Sequence, residues 1–232
     1  MIIGGLQKNS FIDFPGRISC VLFSSGCNFH CPYCHNPELA RGLPAAEPAL
    51  TLEHFYAFLA ARRSLLEGVV ISGGEPTLQA DLAAVCQAVK DLGFEVKLDT
   101  NGSRPRVLRH LLAEGLIDYV AMDIKTDPSR YAPVFLADDL QAAIQESLRI
   151  ILTSAPAYEF RTTCVGPIVD EGVIDTIAHL IEGADRYVLQ TFQNQRLLNP
   201  SFFQPAQPAI SGAQMRRLQA VASKWVGHCL IR

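Results

Sequence analysis

Six apolar runs of strand length recur along the chain, at 18–23, 68–72, 94–98, 119–122, 159–165 and 186–190. Helical patterns separate them. Thr51 reads as an N-cap for a stripe of Phe55, Phe58, Leu59, Leu65 and Leu66, and further helices are predicted over 78–92, 105–114, 138–152, 171–182 and 211–225. Three prolines, Pro37, Pro44 and Pro48, predict loop over 36–50, and Pro205 lies in a second loop. Strands alternating with helices predict right-handed βαβ units and a parallel sheet. Six such units fall short of a closed eight-fold barrel, so the expected fold is α/β, an open partial (β/α)6 barrel. The expected layout is one domain, 1–232, with an irregular or β-type entry segment at 1–17, the barrel at 18–190 and an extension at 191–232.

The apolar runs give out into polar clusters. After the first comes Cys27-Asn28-Phe29-His30-Cys31-Pro32-Tyr33-Cys34-His35-Asn36. The second ends in Gly73-Gly74-Glu75-Pro76, the third in Asp99-Thr100-Asn101-Gly102, the fourth in Asp123-Ile124-Lys125. In parallel α/β folds the C-terminal strand ends share one face, where ligands bind. Four clusters from four strands are therefore expected to meet at one site. Asp123 and Lys125 alternate, so their side chains share a side. Arg161 and Gln190, on the fifth and sixth strands, are further candidates, with a rim role as the alternative.

Each cluster has a bland counterpart. Gly73-Gly74-Glu75-Pro76 serves equally as a tight strand-to-helix turn, although glycines also let a ligand approach the backbone and Glu75 suits an ammonium group. Asp123 and Lys125 could form a structural ion pair. Tyr33 could pack in a core or stack on an aromatic ligand.

The cysteine spacing C-x3-C-x2-C brings three thiolates to one centre. An iron–sulfur cube normally takes four cysteines, so three predict one iron left open to an exogenous ligand. The alternative is a structural Cys3His zinc site completed by His30 or His35. Seven cysteines without a recognisable secretory leader point to a reducing, cytoplasmic setting. Cys20, Cys86, Cys164 and Cys229 stand alone in apolar surroundings and read as small buried hydrophobes. A net charge of −3 gives no field favouring nucleic acid or an anionic membrane, and no apolar run reaches membrane-spanning length.

With these residues in view, the chain resembles the radical S-adenosylmethionine superfamily. The resemblance rests on Cys27, Cys31, Tyr33 and Cys34 and on the Gly73-Gly74-Glu75-Pro76 turn, and covers roughly residues 8–190. Asp13-Phe14-Pro15-Gly16-Arg17, His35-Asn36, Asp99-Thr100-Asn101-Gly102 and Asp123-Ile124-Lys125 are similar to the branch that activates glycyl radical enzymes, above all to activators of anaerobic ribonucleoside-triphosphate reductase. The resemblance implies a [4Fe-4S] cluster on Cys27, Cys31 and Cys34, with S-adenosylmethionine on the fourth iron. Gly73, Gly74 and Glu75 would then receive the amino group of S-adenosylmethionine, and Tyr33 would lie near its adenine. Asp123 and Lys125 would contact its methionine or ribose. Cys34, His35, Ile124, Arg161 and Gln190 complete the expected cofactor contacts. Asp99, Thr100 and Asp123 match oxygens that hold a monovalent cation in pyruvate formate-lyase activating enzyme. The implied partners are a glycyl radical enzyme and a flavodoxin- or ferredoxin-type electron donor. Where that relative has a late histidine in the sixth strand, this chain has Leu189-Gln190-Thr191-Phe192, and it carries no inserted ferredoxin-like cysteine clusters. A radical enzyme acting on a small molecule and a zinc-stabilised binding module are the alternatives.

Overall fold

The computed structural model describes residues 1–42, 50–132, 134–135, 140–193, 197–204 and 208–232. Eight strands form one sheet in chain order: β1 (Ile3–Ser10), β2 (Ser19–Ser24), β3 (Gly68–Gly73), β4 (Glu95–Thr100), β5 (Tyr119–Asp123), β6 (Tyr158–Cys164), β7 (Arg186–Thr191) and β8 (His228–Ile231). From β2 onward every neighbour is parallel, and β1 runs antiparallel to β2. The six expected strands are thus β2–β7. The entry segment adds β1 at one edge and the extension adds β8 at the other, so the sheet stays open.

The helices are α1 (Pro37–Ala40), α2 (Leu52–Ala60), α3 (Leu82–Asp91), α4 (Pro105–Ala113), α5 (Gln141–Ser154), α6 (Glu171–Leu180) and α7 (Gly212–Ala222). None of the described helices is long and apolar enough to cross a membrane. Thr51 caps α2 by accepting the His54 N–H at 3.2 Å, as its position before the apolar stripe predicts. Three local expectations need correction. The prolines do not exclude helix over 36–50, because Pro37 sits in the first turn of α1, where its missing N–H costs nothing. Pro44 and Pro48 lie outside the described residues, as do residues 138–139 and Pro205. The helix expected from 78 begins only at Leu82, since Pro76–Leu78 first make a 3-10 turn capped by Glu75. Leu65 lies beyond the end of α2 and is exposed, so it is not part of the buried stripe.

Alternation along each strand sorts side chains onto two faces. Cys20, Leu22, Val69, Ile71, Val96, Leu98, Val120, Met122 and Phe160 join one large core with Phe55 of α2, Val85 of α3, Leu108 of α4, Ile144 of α5 and Ile174 of α6. Each such fully buried aliphatic side chain contributes about 1.5–3 kcal/mol. The inner face carries a small apolar floor of Phe14, Val21, Val70, Tyr119 and Ala121. Phe14 comes from the entry turn Asp13-Phe14-Pro15-Gly16-Arg17, and its ring packs on Tyr119 with centroids 5.9 Å apart. A Cβ on Gly68 would come within 2.8 Å of that ring, so the floor requires glycine there. The entry turn is therefore a plug at the foot of the barrel, near the start of β3. Above the floor the inner face turns polar.

Candidate active site

The polar clusters ending β2–β5 do meet. Cys27, Cys31, Tyr33, Cys34 and His35 line one cavity of about 240 Å³ with Gly73, Gly74, Glu75, Asp99, Thr100, Asn101, Asp123 and Lys125. Arg161 and Thr163 of β6 and Gln190 of β7 complete the wall. Arg161 and Gln190 thus face the cavity, and Thr163 donates to Gln190 Oε1 at 3.4 Å.

The cysteine loop is held from several sides. The Gly26 N–H donates to the Leu39 carbonyl at 2.8 Å, and the Glu75 N–H donates to the Gly26 carbonyl at 2.8 Å. This contact explains the two glycines. A Cβ on Gly74 would stand 2.1 Å from Gly26 O, and one on Gly73, at φ 117°, would stand 2.3 Å from Ser24 O. Close packing of the β3 end, Gly73 against the end of β2 and Gly74 against the start of the cysteine loop, already demands both residues, whatever ligand binds. The Asn101 amide donates to Asn28 Oδ1 at 3.0 Å and approaches Cys27 Sγ at 3.9 Å. Residues 131 and 135 cover the loop: Phe29 meets Tyr131 edge-on at 5.8 Å, Tyr33 meets Phe135 at 6.0 Å, and His30 N–H donates to Phe135 O at 2.6 Å. From the extension, Asn199 N–H donates to Pro32 O at 3.1 Å and Phe192 stacks on His35 at 5.8 Å.

The donor chemistry fits an iron–sulfur cluster with a polar ligand beside it. Three thiols of one loop share the cavity wall, and Cys27 Sγ accepts the Phe29 N–H at 3.4 Å. Such hydrogen bonds suit ligating sulfur. Burial pushes the Cys27 thiol up to about 11 and the Cys31 thiol to about 12, so metal binding must displace their protons. Tyr33 is buried, yet its hydroxyl has no hydrogen-bond partner among the described residues. A buried hydroxyl left so calls for a partner, a ligand or an ordered water, and Tyr33 lies in the cavity lining where either can reach it.

Glu75 is more heavily engaged than a simple ammonium receptor. Its Oε1 accepts from Thr77 N at 3.1 Å, from the Thr77 hydroxyl at 2.5 Å and from the Thr100 hydroxyl at 2.8 Å. Its Oε2 accepts the Asn101 N–H at 2.6 Å. Burial raises the Glu75 pKa, and these donors oppose the rise.

A charged ladder crosses the inner face. Lys97 donates to Asp99 Oδ1, and the Ser72 hydroxyl donates to Asp99 Oδ2 at 3.1 Å. Arg161 Nε donates to Asp123 Oδ1 at 2.7 Å while its Nη1 lies 3.4 Å from Asp99 Oδ2. Lys125 Nζ donates to Asp123 Oδ2 at 3.0 Å, so alternation placed this pair correctly. Burial raises the pKa of both carboxyls, but Arg161 with Lys97 or Lys125 reverses the shift, and both end lowered.

One expectation needs correction here. Ile124 does not face the cavity: its side chain is fully buried in the helix-side core, and its N–H and carbonyl are bonded to Arg161 O and the Thr162 hydroxyl. Asp99, Thr100 and Asp123, the trio that the resemblance gives to a monovalent cation, all line the cavity, with their side chains engaged as follows. Thr100 turns its hydroxyl to Glu75 and accepts the Gly102 N–H, while both aspartates are countered by Lys97, Lys125 and Arg161. The sequence reading also missed Lys97, Ser72, Tyr131 and Phe135. Lys97 had a signal, since it alternates with Asp99 onto the inner face.

Comparison with known proteins agrees with this geometry. The profile of the Radical SAM superfamily matches residues 21–180. A Methanocaldococcus jannaschii protein, provisionally named a glycyl-radical enzyme activating enzyme, is 34% identical over 100% of this chain and 95% of its own length. The pyruvate formate-lyase-activating enzyme of Clostridium pasteurianum is 31% identical over 53% of this chain and 52% of its own. A 7-carboxy-7-deazaguanine synthase of Thermococcus kodakarensis is 26% identical over 81% of this chain and 78% of its own. Among solved structures, Streptococcus suis SuiB bound to S-adenosylmethionine matches in fold at a TM-score of 0.67 and 16% identity. That match covers 88% of this chain, which spans about half of SuiB. The matched profile and the full-length relative replace the zinc-module alternative: the chain belongs to the radical SAM superfamily of iron–sulfur enzymes, and within it to the family of glycyl-radical enzyme activating proteins.

Proposed function

We propose that this protein generates a glycyl radical on a partner enzyme, an anaerobic ribonucleoside-triphosphate reductase, using a [4Fe-4S] cluster on Cys27, Cys31 and Cys34. The observation that carries it is the single cavity walled by these three thiols and by the ends of β3–β7. The cluster, which Cys27, Cys31 and Cys34 would hold and a flavodoxin- or ferredoxin-type donor would reduce, would supply with S-adenosylmethionine the one-electron chemistry that removes the glycine α-hydrogen. The chain's own residues bind and position. Gly73 and Gly74 would present backbone to the methionine amino group, beside Glu75 in the cavity wall. Lys125, held to Asp123, supplies positive charge toward the carboxylate or ribose. Tyr33 offers its unpartnered hydroxyl and ring edge near adenine. Phe192, stacked on His35, shields the cysteine loop on its outer side. Gln190, Thr163 and Arg161 form the wall on the β6–β7 side of the cavity.

The test is anaerobic incubation of reconstituted protein with S-adenosylmethionine, reductant and a candidate reductase. The expected result is a glycyl radical signal on the reductase, lost with Cys31→Ala. Formation of 5′-deoxyadenosine only with a small metabolite would instead favour a small-molecule substrate, the reading that similarity to 7-carboxy-7-deazaguanine synthases keeps in play.

A further inference from the structure

Asp99 and Asp123 are adjacent carboxylates on neighbouring strands of the inner face, and like charges so placed need a cation between or beside them. In this chain that cation is covalent. Arg161 sits opposite Asp123 in the β5–β6 register and reaches both carboxylates, through Nε at 2.7 Å to Asp123 and Nη1 at 3.4 Å to Asp99. Lys97, whose side chain is 1% exposed, donates to the remaining Asp99 oxygen. Lys125 takes the second Asp123 oxygen, and the Ser72 hydroxyl also donates to Asp99. The four carboxylate oxygens thus each have a side-chain donor. Thr100, which would have been the third oxygen ligand, is turned away to Glu75. A bound sodium or potassium ion would share its carboxylate oxygens with a guanidinium or a buried ammonium, and it would add charge beside Lys97, Lys125 and Arg161, which already face Asp99 and Asp123.

We infer that Lys97 and Arg161 act as built-in cations on Asp99 and Asp123, so that this enzyme needs no monovalent metal ion at the position where the resemblance implied one. Lys97 is then a positioning residue: it holds Asp99 against Arg161, and through Arg161 fixes Asp123 and Lys125 at the cavity wall. These contacts are among the chain's own side chains and are the same whichever substrate takes the radical.

The experiment uses the full chain, with and without reconstituted cluster, in NaCl, KCl, RbCl or choline chloride at equal ionic strength. Thermal unfolding midpoints of wild type are expected to coincide in all four salts, and S-adenosylmethionine cleavage rates to agree within about 1.5-fold. Lys97→Met removes the ammonium and opens a place beside Asp99. This variant is expected to gain a saturable, ion-specific rise in midpoint with sodium or potassium over choline. Arg161→Met provides the same comparison should Lys97→Met not fold. A saturable ion-specific rise in wild type, or rubidium located by anomalous scattering between Asp99 and Asp123, overturns the inference. So does a folded variant whose midpoint ignores the choice of ion. Because the midpoint is read without turnover, failure here is separable from failure to activate a glycyl radical enzyme.

Discussion

Glu75 Oε2 accepts the Asn101 N–H at 2.6 Å, and this one bond ties the end of β3 to the end of β4. Three more donors converge on Oε1, so a fully buried carboxylate serves as the hub joining the Gly-Gly-Glu-Pro turn to the Asp-Thr-Asn-Gly turn. Glu75→Ala is expected to leave these buried donors unpaired, at about 1–3 kcal/mol for each that stays dry. Glu75→Gln keeps shape but sets an NH2 against a donor, and is expected to cost about 2 kcal/mol. Urea unfolding measures both. Equal stability of Glu75→Gln and wild type would show that the hub is not formed.

Gly74 carries the second prediction. A Cβ there meets Gly26 O at 2.1 Å, a backbone atom that cannot swing aside. Gly74→Ala must push the cysteine loop away from β3. The expected outcome is a folded protein with a lowered unfolding midpoint that retains less than half the wild-type iron after reconstitution and desalting. Retention of full iron and cleavage activity would show that the loop can yield without losing its geometry.

The third prediction concerns pH. Asp99 and Asp123 have folded pKa values below the usual 3.8. Their stabilisation is therefore present above that unfolded value and is lost as pH falls through the folded ones. Glu75 has the opposite sign: its raised folded pKa gives a contribution present below 4.5 that fades as pH rises through the folded value. Wild type is expected to lose stability steadily as pH drops below about 4. Asp123→Asn should be less stable at pH 7 by about 3 kcal/mol, because Arg161 and Lys125 lose a buried counter-charge, but its stability should fall less steeply on acidification. Urea midpoints from pH 3 to 7 check this, and parallel acid limbs in the two proteins would refute it.

The strand ends were legible because each apolar run stops abruptly at residues unsuited to a core, as Leu98 gives way to Asp99 and Met122 to Asp123. The edge strands were less so: the entry segment reads only as irregular or β-type, and the extension shows no strand signal. In β1, Gly4, Gly5, Gln7 and Lys8 face outward or half outward and leave no apolar run, and β8 is only four residues with three exposed. The thiol trio could be read from spacing alone, whereas the partners of the aspartates could not. Alternation puts Lys97 and Asp99 on one face, but only the packed sheet shows that Arg161 reaches both carboxylates and that Thr100 turns to Glu75. Ile124 misled because proximity in sequence to Asp123 and Lys125 ignores that a strand sends its odd and even residues to opposite faces.

The inner face has a further buried carboxylate, Glu159, lower on β6. Glu159 is 1% exposed, and its counter-charge is Arg232 beyond β8, with Nη2 3.2 Å from Oε2 and Nη1 3.3 Å from Oε1. Arg232 is itself fastened to β7, its N–H donating to Leu189 O at 3.0 Å and its carbonyl accepting the Thr191 N–H at 2.6 Å. The pair therefore ties the β8 edge of the sheet to the interior side of β6. Removing one member of a buried pair usually costs about 3–5 kcal/mol, and the partly exposed guanidinium places this one lower, at about 2 kcal/mol. Arg232→Ala should lose that much in urea unfolding, and adding Glu159→Gln should restore most of it by removing the stranded charge. Because the bridge lies away from the cysteine loop, iron content and S-adenosylmethionine cleavage per folded molecule should stay within about twofold of wild type, since the loss is in stability and not in a group that touches the cavity. If the double variant is no more stable than Arg232→Ala alone, the carboxylate was not relying on Arg232, and the bridge contributes nothing to holding the β8 edge in place.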